Sequence, residues 1–252
     1  MERKKISAVL ITYNEEINIE RTLESLDFVD EIVILDSYST DRTVAIASKY
    51  TNKIYYRKFD DFSSQRNYSL DLATNEWVIV VDADEVVTNE LKDEIRALLR
   101  VIDSKSVYSI ERNNIFMGRR LKHGGVNNDY VVRIFPKTIR YKNKVHEIPS
   151  TGDKSVKILK NSMEHHTYKN YRHTLEKYDH YTTLHAENMF RKEYKITHWK
   201  LFIKPSFRFF RHYVLKMGFL DGRHGLVFAY LSAWGVFDKL VKTWRMQNGE
   251  QF

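Results

Sequence analysis

The first hundred residues alternate short β-branched apolar runs with amphipathic runs of helical spacing. That alternation commits the chain to a mostly parallel sheet with helices on both faces. Residues 6–12 (ISAVLIT) read as a buried strand ending at the turn-like Tyr13-Asn14. In 15–26, Ile17, Ile19, Leu23 and Leu26 fall at roughly helical spacing. Residues 31–35 (EIVIL) form a second strand that ends at Asp36-Ser37, and Ser39 or Thr40 is placed to cap a helix through Lys49. A third strand at 53–57, a helix at 63–72 and a fourth strand at 76–81 (EWVIVV) lead into Asp82-Ala83-Asp84-Glu85 and a helix over 89–100.

The pattern changes after residue 105. β-type runs at 107–110, 130–135 and 155–159, separated by Gly118 and Gly124-Gly125, predict a smaller mixed or antiparallel β lobe completing the same domain. Helical runs follow near 170–192, 198–217 and 223–245. The expected organisation is an α/β catalytic domain over 1–167, with a nucleotide-binding half at 1–100 and an acceptor-side half at 101–167. A helical extension covers 168–252 and is read as membrane-surface or dimer-forming.

Ligands of an open α/β sheet bind beyond the carboxyl ends of its strands. The conspicuous polar residues fall there: Tyr13, Asn14 and Glu15 after the first strand, Asp36 after the second, Asp82 and Asp84 after the fourth. With no cysteine in the chain, disulfides and thiolate metal sites are excluded, and a metal must be held by carboxylate, imidazole, water or substrate phosphate. Asp82 and Asp84, one residue apart past a buried strand, suit a divalent cation that also binds diphosphate oxygens. The alternative is a pair of solvated acids capping the next helix. Tyr13 is equally compatible with a packed aromatic, and Arg66 with a helix-surface charge.

The runs VLITYNEE, ILDSYSTDRT, SSQRNYSL and VIVVDADE, in this order and spacing, resemble the family-two glycosyltransferases with the GT-A fold, a Rossmann-like architecture. The resemblance is dense from about 6 to 94 and thinner through Val131–Phe135, His146-Glu147 and 204–226. It lies nearest the bacterial enzymes of lipopolysaccharide-core and related surface glycans. By that resemblance the chain is expected to be an inverting, hexosyltransferase-type enzyme using Mn²⁺ or Mg²⁺. It would move a sugar from a nucleotide diphosphate to a glycolipid or surface polysaccharide, with a UDP-sugar preferred over GDP or dTDP donors. Tyr13 and Glu15 would then line the base pocket, Asp36 would meet base or ribose, and Arg66 base or diphosphate. Asp82 would meet ribose and the metal's water shell, and Asp84 would bind the metal directly.

The acidic pair that many family members place after the second lobe is missing between 105 and 165. His146-Glu147 stands there instead and resembles the His-Glu of the lipopolysaccharide-type subgroup; by that resemblance Glu147 is the expected general base, with His146 orienting it or touching diphosphate. The other reading is a solvated turn before Pro149. By the same resemblance His165 is expected to complete the metal shell or contact diphosphate; it and His166, being adjacent, would point apart, so at most one is a ligand, and a structural role stays open.

The net charge of +8 favours anionic partners. Residues 199–216 (WKLFIKPSFRFFRHYVLK) interleave aromatics with Lys and Arg as an interfacial helix does, though a packed helical pair or a homodimer face would share the pattern. No run reaches the roughly 20 apolar residues of a membrane span, and the apolar segment at the N-terminus is too short for a signal peptide. A cytoplasmic enzyme bound peripherally at the inner face of the plasma membrane is expected. A nucleotidyltransferase would carry a Gly-rich phosphate loop after the first strand, and no glycine precedes Gly118. A non-enzymatic or catalytically dead membrane-surface protein explains the tail but not the strand-end acids. Nucleic acid is not an expected partner, because the candidate site is acidic.

Overall fold

The computed structural model describes residues 3–126, 128–142, 148–166 and 171–249. The chain forms two compact units, one from residues up to 113 with 128–166, the other from 114–127 with 167–252.

In the first unit β1 (Ile6–Thr12), β2 (Glu31–Asp36), β3 (Ile54–Tyr56) and β4 (Trp77–Val80) run parallel in the order β3-β2-β1-β4. Alternation along each strand supplies two faces. Trp77 and Ile79 join Ile6, Leu10, Leu23 and Ile34 on one side. Val78 and Val80 join Val9, Leu70 and Phe135 on the other. The connecting helices are α1 (Ile19–Glu24), α2 (Thr43–Ala47), α3 (Phe62–Leu72) and α4 (Asn89–Leu98). Asp61 caps α3 by accepting from Ser64 N at 2.9 Å, and Thr88 caps α4 through Leu91 N at 3.3 Å; each cap is worth about 1 kcal/mol.

The helix expected over 15–26 is confined to 19–24, because residues 14–18 form a turn that opens with Asn14 in the left-handed region (φ 53°). The helix expected from 39 or 40 onward begins only at Thr43, with no side-chain cap.

The sheet continues past β4 with β8 (Tyr130–Pro136), β6 (Ser106–Phe116), β11 (Ser155–His165) and β5 (Glu85–Val87). The β4–β8, β6–β8 and β11–β5 pairs are antiparallel. β9 (Tyr141–Lys142) and β10 (Ile148–Pro149) make a separate short pair. β5 lies where the sequence reads as a loop into the following helix. Three residues are too few to show a period, and its partner is β11, whose His165 stands opposite Glu85.

In the second unit the end of β6 pairs with β7 (Arg119–Arg120), so residues 114–127 cluster with the C-terminal helices and not with the β lobe where the sequence puts them. The helices are α5 (Tyr171–Arg191), α6 (His198–Phe210) and α7 (Gly222–Gln247), with a π-helical turn at Arg211–Leu215 and a 3₁₀ turn at Gly218–Asp221. Asp221 accepts from the Lys122 and His123 amides. Gly225 is required, since a Cβ there would lie 1.9 Å from Gly218 O. Among the described residues no helix is long and apolar enough to cross a membrane.

Candidate active site

The parallel strands bring their carboxyl ends to one edge, and register aligns Thr12 with Asp36 and Asp36 with Tyr56. The loops after β1 and β2 are laced together there. Asn14 N donates to Ser39 Oγ at 2.9 Å, Thr40 N to Asn14 Oδ1 at 2.8 Å, and Glu15 N to Thr43 Oγ1 at 2.7 Å. Tyr13 stands at this edge 58% exposed, and the Glu15 carboxylate accepts from Asn18 Nδ2 at 2.9 Å.

Asp36 lies beneath this edge. The sequence places its carboxylate against base or ribose. In the structure the residue is 0% exposed. One oxygen accepts from Ser39 N at 2.7 Å; the other accepts from Ser39 Oγ at 2.6 Å and Thr12 Oγ1 at 2.9 Å. Both oxygens thus help to build the turn.

Asp82 sits at the centre of a buried ionic network. Arg66 Nη2 donates to its Oδ1 at 2.8 Å and Arg133 Nη2 to its Oδ2 at 2.6 Å. Arg133 also pairs with the buried Glu85, which Arg112 approaches at 3.4 Å while pairing with Asp129 at 2.8 Å. Glu85 in turn accepts from Asp82 N at 3.0 Å, closing the Asp-Ala-Asp turn on itself. Burial opposes charge on Asp82, yet Arg133 and Arg66 hold its carboxyl well below the usual carboxylate range. Burial likewise opposes charge on Arg133, and Asp82 with Glu85 raises its pKa well above the ordinary value. Arg66 is buried, not a helix-surface charge, and its guanidinium lies 5.4 Å from the centre of the Tyr141 ring.

Arg133 and Glu85 were not singled out as site residues in the sequence. A signal for Arg133, besides its place in the Val131–Phe135 stretch, is that it is a lone arginine inside the apolar strand Tyr130–Pro136, since a charge in such a run is seldom buried without a partner.

Asp84 points elsewhere. Its Oδ2 lies 3.5 Å from His165 Nε2, and both side chains are largely shielded. The β5–β11 pairing brings them together, and His166 N donates to Asp84 O at 2.8 Å. His166 turns to Glu164 Oε2 at 2.9 Å. His146 and Glu147 lie outside the described residues.

Two donors about 2.1 Å from one cation are at most about 4.2 Å apart, so Asp84 and His165 can share an ion. Among the described residues no group of three or more His, Asp or Glu could hold one alone. A pair suits Mg²⁺ or Mn²⁺, which keep water and substrate phosphate in the remaining positions. The sequence also offers Asp82 to the metal; each of its oxygens here accepts one guanidinium N–H.

A curled α/β sheet with its polar groups gathered at the carboxyl edge is the architecture of the GT-A glycosyltransferases, and the comparisons agree. The family described as "Glycosyl transferase family 2" matches residues 7–217. The chain belongs to that family and is a glycosyltransferase. An uncharacterized glycosyltransferase of Rickettsia conorii is 26% identical over 260 residues, spanning 95% of this chain and 89% of the relative. The lipopolysaccharide core biosynthesis glycosyltransferase LpsC of Rhizobium meliloti is 26% identical over 251 residues, 93% of this chain and 92% of LpsC. Among solved structures, S. aureus TarS 1-349 in complex with UDP-GlcNAc superposes with a TM-score of 0.51 at 17% identity, covering 98% of this chain and 93% of that one.

Proposed function

We propose that this enzyme transfers a sugar from a UDP-sugar, with a divalent metal and inversion at the anomeric carbon, to a glycolipid or surface-polysaccharide acceptor. The observation that carries the reading is the Asp84–His165 pair at 3.5 Å beside the clamped Asp82, at the edge where this fold binds ligands. LpsC, named for lipopolysaccharide core synthesis, supports the acceptor class. The UDP-GlcNAc complex of TarS supports the donor class.

In this reading Asp84 and His165 hold Mn²⁺ or Mg²⁺, and the ion's contribution when bound is to offset charge developing on the departing diphosphate. Tyr13 offers a ring face to the base. Arg66 and Arg133 keep Asp82 ionised and fixed, so that its carboxylate can accept from the ribose. The acceptor oxygen forms its bond to the anomeric carbon as the bond to the β-phosphate oxygen breaks, and the pair of electrons leaves with the diphosphate. The acceptor proton goes to Glu147, assigned by the family resemblance of His146-Glu147. A lipid-linked acceptor is met at a membrane face, here the inner face of the plasma membrane. The cationic, aromatic α6 supports that placement.

The test is calorimetric binding of UDP, GDP and dTDP, each with and without Mn²⁺, to the wild type and to Asp84→Ala. Metal-dependent binding of UDP that is lost in the variant supports the reading. Absence of binding at millimolar nucleotide with Mn²⁺ present would end it.

A further inference from the structure

Tyr38 combines two unfavourable features with little packing to offset them. Its backbone is in the left-handed region (φ 63°), where a Cβ crowds the following carbonyl. Its ring is 59% exposed. The ring's neighbour is that of Tyr56, itself 51% exposed, with centroids 5.8 Å apart and planes tilted by 31°.

The residues around Tyr38 enforce this conformation. Ser37 N donates to Thr12 O at 2.9 Å, Ser39 N and Oγ donate to the buried Asp36, and Thr40 N donates to Asn14 Oδ1. Every flanking residue of the turn is tied to β1, β2 or the loop after β1, so the turn is over-determined and Tyr38 is held outward by its neighbours. Strain maintained in this way, with an apolar side chain exposed, is characteristic of ligand clamps.

We infer that Tyr38 and Tyr56 form the stacking wall for the base of the nucleotide donor. The inference rests on the nucleotide-sugar reading above and adds two residues to it. The spacing along the edge fits. β1 lies between β2 and β4, so the turn carrying Tyr38 is about two strand spacings, roughly 10 Å, from the Asp82–Asp84 turn. A nucleoside diphosphate with its phosphates at the second turn has its base at the first. Asp36, fully buried and bonded within its turn, is not exposed at this edge, so Tyr38 and Tyr56 add ring faces beside the exposed Tyr13. Ser37 Oγ, accepting from Gln65 Nε2 at 3.0 Å, keeps its own proton to donate to a base carbonyl. Tyrosine faces bind any base by stacking, and Ser37 supplies the edge contact.

The experiment compares wild type, Tyr38→Gly and Tyr56→Ala by thermal unfolding and by calorimetry with UDP and with inorganic pyrophosphate, all with Mn²⁺. Glycine takes the left-handed conformation without a Cβ. Tyr38→Gly is therefore expected to unfold at or above the wild-type temperature while its Kd for UDP rises about 5- to 100-fold, the span of one lost base–aromatic stack. Tyr56→Ala should weaken UDP in the same range. Pyrophosphate has no base, and its affinity should not follow. Wild-type affinity for UDP in Tyr38→Gly would overturn the inference and leave the functional reading standing, as would an equal loss for pyrophosphate. A wild type that binds no nucleotide would remove both.

Discussion

His165 Nε2 lies 3.5 Å from Asp84 Oδ2, and the two residues come from strands β11 and the turn before β5, distant in sequence and joined by antiparallel pairing. Neighbouring backbone fixes the approach: Glu85 is the register partner of His165, and His166 N is bonded to Asp84 O. The pair is thus set by sheet register, and a one-residue slip would turn His165 to the opposite face.

Replacing His165 tests its place in the metal shell without touching a carboxylate. His165→Ala is expected to fold, because the side chain lies outside the core clusters. It should weaken Mn²⁺-supported UDP binding about 10- to 100-fold. Titration of Mn²⁺ into the UDP complex reads the effect directly. An unchanged Mn²⁺ dependence would assign His165 a structural role.

Arg133 is the buried cation on which both Asp82 and Glu85 depend. Arg133→Met leaves Glu85, which is completely buried, facing Arg112 alone at 3.4 Å. Removing one partner of a buried pair costs on the order of 3–5 kcal/mol, which lowers Tm by roughly 10 °C for a chain of this size. Differential scanning calorimetry checks it. A shift below about 2 °C would mean that Asp82 and Glu85 do not rely on this guanidinium.

The parts of the site that are local in sequence were legible. The strand runs before Tyr13, Asp36 and Asp82 stand out because β-branched residues between turn-formers read as buried strands, and all three strands form. What is not legible is set by partners remote in the chain. β5 is three residues long and exists through β11. Asp36 reads as a strand-end carboxylate, and its enclosure by the Thr12–Asp36 register and the Ser39 turn is set by residues on another strand and in the following loop. Arg133 reads as one charge in a strand until the fold puts two acids beside it. The hairpin at 114–127 carries Gly118, Gly124 and Gly125, ordinary turn residues, and only long-range packing joins it to the helices.

Acid should expose one structural carboxylate. Burial opposes the charge on Glu31, but hydrogen bonds from Lys53, Ser7 and Thr74 outweigh it and draw its pKa from 4.5 to about 2. The Thr74 N and Oγ1 contacts are 2.8 and 2.9 Å. A depressed folded-state pKa contributes stability that is complete above the unfolded value and lost as pH falls toward the folded one. The contribution is therefore present above about pH 4.5 and disappears between there and pH 2. It is worth on the order of 3 kcal/mol. Urea unfolding of wild type and Glu31→Gln across pH 7 to 3 should show the gap between them narrowing below pH 4.5. A gap independent of pH would show that Glu31 acts through packing.

The last expectation concerns the helical unit, where α6 buries none of its residues. Trp199 is 74% and Phe202 71% exposed, and Ile203, Phe207 and Phe210 are also exposed. From residue 198 to 220 there is no acid, while Lys200, Lys204, Arg208, Arg211 and Lys216 are interleaved with these apolar groups. Five cations among apolar side chains disfavour a second copy presenting the same charges and favour an anionic bilayer, at about 1 kcal/mol per cation near the surface. The protein is expected to sediment with phosphatidylglycerol-containing vesicles and not with pure phosphatidylcholine, and to be released by high salt. Phe202→Ser with Phe207→Ser should abolish sedimentation. Lys200→Glu with Arg211→Glu should weaken it at least tenfold and reduce its salt dependence. Equal binding to neutral vesicles would remove the electrostatic argument. A dimer in solution that the serine variants dissociate would instead assign this face to a second copy of the chain.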